Sequence, residues 1–231
     1  FFSLDTKPVL KTICALDPED KLKAFADQWG YESYETDWRK LVERDDIDHI
    51  DVCTPNSTHR DIVLAAAAAG KSIICEKPLA MNSDETAELA ELAKSANVAA
   101  AVCYNIRYYP MNLQARAMAA QGDLGEIYAI NGCYIQDWLL YDTDYNWRVL
   151  AEQGGVIRAV SYIGTQWMDL VLSITGVEVD SVFADLNTVH KVRKRPTGEV
   201  ETFTGKQAEE VATEPIDITT DDYGCILFRF T

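Results

Sequence analysis

The stretch from Ile50 to Pro78 constrains this chain most. It reads as a strand, Ile50-Asp51-Val52-Cys53, a turn, Thr54-Pro55-Asn56-Ser57-Thr58-His59, an alanine-rich helix, and a second strand running into Glu76-Lys77-Pro78. A strand, helix and strand of these lengths make a right-handed βαβ crossover, and such units bind ligands in the loops at the carboxyl ends of their parallel strands. Both of those loops carry chemistry here. A Thr-Pro-Asn turn with a nearby His follows the first strand, and a carboxylate, an amine and a proline stand side by side after the second.

The alternation extends to either side. In order, the sequence predicts strand Val9–Ala15, helix Glu19–Gln28, helix Trp38–Glu43, strand Ile50–Cys53, helix Arg60–Ala69, strand Ser72–Cys75, helix Asp84–Ala96 and strand Val98–Cys103. Such a pattern implies a parallel sheet covered by helices on both faces. Asn82, with Glu85 three residues later, marks the start of the last of these helices. Beyond Pro110 the pattern changes: a helix from about Met111 to Ala120 ends at Gly122, and long strands are predicted at Glu126–Trp138, Glu178–Val189 and Tyr223–Phe230. The expected fold class is α/β, with a Rossmann-type parallel sheet over residues 1–106. Over 107–231 an α+β domain with a large open, mainly antiparallel sheet is expected to follow. Lys191–Glu214, mixing Lys, Arg, Gly, Thr and Glu, reads as the least ordered stretch.

A Rossmann unit needs a glycine-rich turn between its first strand and first helix, because the cofactor pyrophosphate must approach backbone N–H groups directly. No glycine precedes Gly30. Phe1 to Lys7 reads as the tail of a first helix and Val9–Ala15 as the second strand, so the first strand, with its phosphate turn, is expected upstream. The final strand ends the chain with an edge that wants a partner. The expectation is an interior piece of a longer enzyme.

Glu76-Lys77-Pro78, taken with Thr54-Pro55-Asn56 and His59, resembles the glucose-fructose oxidoreductase and inositol dehydrogenase family, Gfo/Idh/MocA. Further matches follow in order: Asn105-Ile106-Arg107-Tyr108, Gly122-Asp123-Leu124-Gly125-Glu126-Ile127, Trp147-Arg148, and Gly154-Gly155 opening a later helix. The resemblance covers almost the whole chain. It implies an NAD(P)-dependent oxidoreductase that moves a hydride between nicotinamide and a hydroxyl of a sugar, polyol or related carbohydrate. It also implies a homo-oligomer, dimer or tetramer, formed through the open sheet.

The resemblance further implies site residues. Lys77 is expected to be the active-site lysine on the substrate hydroxyl, Glu76 to bind the nicotinamide ribose, and Pro78 to follow a cis peptide bond, which only X–Pro bonds adopt cheaply. Thr54, Pro55, Asn56, Asn105, Arg107, Trp147 and Arg148 are carried over as cofactor-pocket residues. His59 either joins them or faces solvent at a helix start. At the end of the second strand, where an acid usually marks NAD, stands Ala15, followed by Leu16 and Asp17. No arginine greets a 2′-phosphate there. The cofactor is NAD or NADP, with NAD favoured.

One departure from the family pattern is chemical. The family's Asp-Ile-Gly-x-His becomes Tyr162-Ile163-Gly164-Thr165-Gln166. The spacing, which puts both side chains on one helix face, is kept. Glutamine cannot take a proton, and tyrosine, with a reference pKa of about 10, serves as a base only if the cation of Lys77 lowers it. Tyr162 and Gln166 are therefore the remaining candidate catalytic residues. The alternative is a catalytically weak or inactive member that binds a carbohydrate or a partner without turnover.

Composition narrows the partners. A net charge of −16 repels nucleic-acid phosphates and acidic membrane surfaces. No apolar run approaches a membrane span, so a cytoplasmic protein with neither nucleic acid nor membrane as partner is expected. The six cysteines form no C-x-x-C pair. They are read as small buried hydrophobes, without disulfide or metal.

Overall fold

The computed structural model describes residues 7–198 and 212–231. The expected tail of a first helix lies largely outside the described residues. Two compact units emerge: one holds residues up to Thr54, Thr58–Leu79 and Ser83–Val102, and the other holds Pro55–Ser57, Ala80–Asn82 and Cys103–Thr231.

In the first unit β1 (Thr12–Cys14) pairs in parallel with β2 (Ser33–Glu35). A second parallel sheet has the order β3 (His49–Val52), β4 (Ser72–Cys75), β5 (Ala100–Val102). Helix α1 (Glu19–Trp29) joins β1 to β2 and stops at Gly30, whose φ of 78° is a left-handed conformation that glycine adopts without strain. Helix α2 (Trp38–Val42) starts at Asp37, whose carboxylate accepts from the Arg39 N–H. Helices α3 (Asn56–Ala68) and α4 (Ser83–Ser95) make the crossovers from β3 to β4 and from β4 to β5.

The core of this unit follows the strand period. Ile50, Val52, Ile73 and Cys75 are buried together with Ile62, Val63 and Ala66 of α3, while Asp51 and Ile74, on the opposite face of the same strands, are exposed. Helices on both faces were expected; among the described residues one face of this sheet is buried and the other is open. The short β2 escaped the sequence reading because three residues carry no usable alternation. Helix α3 begins at Asn56 rather than Arg60, so residues read as a loop form its first turn.

The second unit opens with a 3-10 turn, Asn105–Tyr108, and helix α5 (Pro110–Gln121), with Pro110 at the first helical position and Gly122 closing it in a left-handed conformation. A short helix α6 (Ala151–Gly154) follows another 3-10 turn, Trp147–Val149. A π-helical turn, Val160–Gly164, then runs directly into α7 (Thr165–Thr175). Arg107 clasps Asp169 of α7 with two hydrogen bonds, one of them Nε to Oδ2 at 2.8 Å.

Two antiparallel ribbons complete it: β6 (Val179–Asn187) with β9 (Tyr223–Phe230), and β7 (Val192–Pro196) with β8 (Thr213–Asp217). The expected α/β class with an antiparallel second part stands, but two local expectations do not. Glu126–Trp138 forms no ladder among the described residues; an extended run becomes a strand only when a neighbour takes its N–H and C=O groups. Instead it passes over α7, where Gly132 lies so close to the Trp167 indole that a Cβ would sit 2.6 Å from Nε1. Lys191–Glu214, read as least ordered, contains β7 and the first two residues of β8, while 199–211 lie outside the described residues. The alternation of β7 is masked because Arg193, not an apolar residue, occupies the buried position.

Of the six cysteines only Cys75 is buried; Cys14 and Cys103 are half-buried and Cys53, Cys133 and Cys225 exposed, all as free thiols. The expectation of buried packing residues holds for one. The others sit at strand ends or on open faces, where the period puts them outward.

Candidate active site

In the first unit the chemistry gathers where β3 and β4 end. The Glu76 N–H still donates to the Val52 carbonyl, extending the ladder by one bond, and the Glu76 carboxylate turns back to accept from the Lys77 N–H at 3.0 Å. The Lys77–Pro78 peptide is cis, as the sequence predicts. Glu76 and Lys77 are half-buried and Pro78 is buried. Thr54 sits opposite, its hydroxyl accepting from that of Thr58 at 2.6 Å.

His59 ties these two loops together. It is fully buried, with Nδ1 3.1 Å from the Pro78 carbonyl oxygen and Nε2 2.8 Å from the Thr54 carbonyl oxygen. It neither faces solvent nor presents a free ring edge to a ligand; it acts from beneath. Ala15, half-buried, continues β1 by donating to the Glu35 carbonyl at 3.3 Å. Burial raises the neighbouring Cys14 thiol above its ordinary value, and the carboxylates of Glu35 and Asp37 add to the shift.

In the second unit Tyr162 is the centre. It is 6% exposed, and burial pushes its phenol up to about 12 against the pull of the Arg148 guanidinium and a hydrogen bond with Asn56. The Arg148 guanidinium lies 4.3 Å from the Trp147 ring centroid and 5.5 Å from that of Tyr162, and the two rings meet edge-on. Asn56, buried, donates to the Gly154 carbonyl at 3.1 Å. Gly154 is closely packed, since a Cβ there would lie 3.0 Å from the Arg148 carbonyl oxygen and 3.1 Å from the Tyr162 hydroxyl. Gly155, at φ 93°, holds a conformation closed to other residues.

Gln166 stands four residues beyond Tyr162, 7% exposed, and its Oε1 has no hydrogen-bond partner among the described residues. Arg107 is committed to Asp169, and Asn105 is exposed at the head of its 3-10 turn. The shift of Tyr162 is upward, because a buried phenolate loses hydration.

Sequence reasoning missed the residues that hold this arrangement. The Asp221 carboxylate, 4% exposed, accepts from the N–H groups of Arg158 at 2.5 Å and Val160 at 2.9 Å, and so fixes the entry to the π-helical turn. Asp222 is shared between the guanidinium groups of Arg158 and Arg193. Burial alone would raise the Asp222 carboxyl, but the His190 N–H and the two arginines outweigh it and hold it below the usual carboxylate range. The only signal was the acidic pair after Thr219-Thr220, which reads as an ordinary turn. Beside this cluster lies a cavity of about 220 Å³, whose walls include Gln136, Trp138, Arg148, Arg158, Tyr162 and His190.

Two family models match the chain: one described as an oxidoreductase family with an NAD-binding Rossmann fold, over residues 3–104, and the GFO/IDH/MocA C-terminal domain, over residues 112–231. The chain belongs to the GFO/IDH/MocA oxidoreductase family. Levoglucosan dehydrogenase of Pseudarthrobacter phenanthrenivorans is 32% identical over 231 residues, covering 100% of this chain and 58% of the relative. Myo-inositol 2-dehydrogenase of Thermotoga maritima is 27% identical over 184 residues, 80% of this chain and 53% of that protein. Among solved structures, levoglucosan dehydrogenase in complex with NADH and levoglucosan superposes with a TM-score of 0.86 at 30% identity, over 100% of this chain and 57% of that one. An oxidoreductase domain protein from Kribbella flavida gives 0.85 at 32%, over 96% and 56%. The chain thus spans a little over half the length of these relatives. Among the described residues no helix is long and apolar enough to cross a membrane.

The groups at the end of β4 are of a kind that would hold the ribose of the family's dinucleotide. A half-buried carboxylate at Glu76 suits a ribose diol, and the sheet edge beside it carries the backbone groups that such sites use.

Proposed function

We propose that this protein is an NAD-dependent dehydrogenase acting on a hydroxyl of a sugar, polyol or related carbohydrate. The observation that carries the reading is the Glu76-Lys77-Pro78 turn at the carboxyl end of β4, braced by His59, in a chain aligned along its whole length with a levoglucosan dehydrogenase. When bound, nicotinamide supplies the hydride acceptor. Among this chain's own residues, Glu76 takes the ribose hydroxyls and Lys77 holds the reacting hydroxyl and stabilises the negative charge that develops on it, the hydroxyl proton leaving to solvent as the hydride leaves the carbon.

Residues 1–106 are the cofactor half in this reading, with Thr54, Pro55 and Asn56 in its binding loop. NAD is favoured over NADP because no arginine stands at the two positions after Cys14 to meet a 2′-phosphate. Residues 107–231 are the carbohydrate half, with the cavity beside Arg148 and Tyr162 as its pocket. Trp147 acts there through Arg148, which it supports by ring stacking. Self-association through the β6–β9 ribbon is supported by Phe183 and Leu227, which are paired in register, project from one face and are strongly exposed. A cytoplasmic location accords with the free thiols.

Binding without turnover is the second reading. What favours it is Tyr162, held neutral with a pKa of about 12, and Gln166, which cannot take a proton. The test is NADH binding by fluorescence, followed by NAD⁺ reduction with levoglucosan, myo-inositol and scyllo-inositol. Turnover of any of them, lost in Lys77→Ala with cofactor affinity retained, supports the dehydrogenase. Carbohydrate binding with no turnover supports the second reading, and binding of neither cofactor nor carbohydrate defeats both.

A further inference from the structure

Arg193 is fully buried on β7, where its donors need acceptors; Nε has none among the described residues, and the two Nη groups carry the bonding. Its Nη1 donates to the carbonyl oxygens of Tyr141 at 2.7 Å and Asp144 at 3.0 Å, and its Nη2 to the carbonyl of Leu139 at 3.0 Å and to Asp222 Oδ1 at 2.7 Å. Its neighbours grip the same loop. His190 Nε2 lies 2.8 Å from the Leu140 carbonyl oxygen, and the Lys194 N–H donates to that of Asp142 at 2.8 Å. Five carbonyls between Leu139 and Asp144 are therefore held from the β7 side, in a segment that has no strand or helix to hold them itself.

Leu139 and Leu140 of that segment line the cavity, with Gln136 and Trp138 just before it and with Arg158, Tyr162 and Asp222. The Asp222 carboxylate links Arg193 to Arg158, since it accepts from both. A planar guanidinium presents its donors in a fixed fork, so it imposes one geometry on the groups it holds, which an ammonium on a flexible stem does not.

We propose that Arg193 is a positioning residue for carbohydrate specificity: it sets the shape of the Leu139–Asp144 wall, and through it decides which sugars or polyols the cavity admits. The inference rests on the cavity being the carbohydrate pocket.

The test is Arg193→Lys, which keeps the charge and removes the fork, with the exposed neighbour substitution Arg195→Lys as control. Affinities are measured by calorimetry with levoglucosan and myo-inositol as probes, and amide hydrogen exchange is followed segment by segment. The expected result is affinity weakened about tenfold or more for the probe that binds, the scale at which small misplacements act. Faster exchange should be confined to residues 139–144, with α7 and β9 unchanged and Arg195→Lys silent. Local loosening with unchanged probe affinity overturns the proposal, as does a uniform loss of protection across the unit, the mark of a merely structural arginine. If Arg193→Lys does not fold, the wild-type protein decides: probe binding must slow exchange in residues 139–144, and no change there overturns the proposal. Wild-type protein that binds neither probe defeats the reading of the cavity, and this inference with it.

Discussion

His59 and Pro78 are 19 residues apart in sequence, and the His59 Nδ1 lies 3.1 Å from the Pro78 carbonyl oxygen. Because Nε2 of the same ring meets the Thr54 carbonyl, one side chain links the loop after β3 to the loop after β4. The lysine turn is thus held by a residue that touches no solvent.

His59→Ala should destabilise the protein by about 2–4 kcal/mol, since it leaves buried carbonyls unmet and a cavity behind. Urea denaturation measures the loss. Glutamine at the same position, which can reach one carbonyl, should recover part of it, and equal losses for the two variants would show that only volume matters at this site.

Tyr162 makes a prediction in alkali. Its pKa rises from 10.0 unfolded to about 12 folded, so its contribution to stability is fully present below pH 10 and is lost as pH rises through 12. The loss across that window should be about 2–3 kcal/mol. Tyr162→Phe should lack this decline, and denaturant midpoints taken between pH 9 and 12 compare the two. In any turnover assay the same variant should leave the profile between pH 6 and 9 unchanged.

Gln166 carries a buried acceptor without a partner, a cost of about 1–3 kcal/mol. Gln166→Met should therefore raise the melting temperature, by about 2–4 °C for each kcal/mol recovered in a chain of this size. Calorimetric scanning reads the shift. A fall in melting temperature would mean that the amide is satisfied in the folded protein and has a structural role.

Asp222 governs the acid side. Its folded pKa is depressed, so its contribution is present above the ordinary carboxylate range and is lost as pH falls through the folded value. Asp222→Asn should cost about 3–5 kcal/mol at pH 7, because two buried arginines lose their shared anion. It should also flatten the dependence of stability on pH below about 4; urea midpoints from pH 2.5 to 7 test both.

The parallel crossover was legible in the sequence because each step is local. β3, α3 and β4 each span a few consecutive residues, and their apolar spacing, their turn residues and the triplet Glu76-Lys77-Pro78 are adjacent in the chain. The family followed from the order of such short motifs. By itself, then, the sequence determined the unit type, the lysine turn and the replacement of a family acid and base by Tyr162 and Gln166. What those side chains do was decided by tertiary structure. Whether Tyr162 is acid or base depends on how much water reaches its oxygen, and this is set by Asn56, Arg148 and Gly154, whose positions along the chain say nothing of their proximity. Likewise Arg193 reads as one more cation in a polar stretch, and only the closing of β7 against residues 139–144 makes it the buried centre of a pocket wall. Local propensity is carried by neighbours in sequence; desolvation and pairing of charge are carried by neighbours in space.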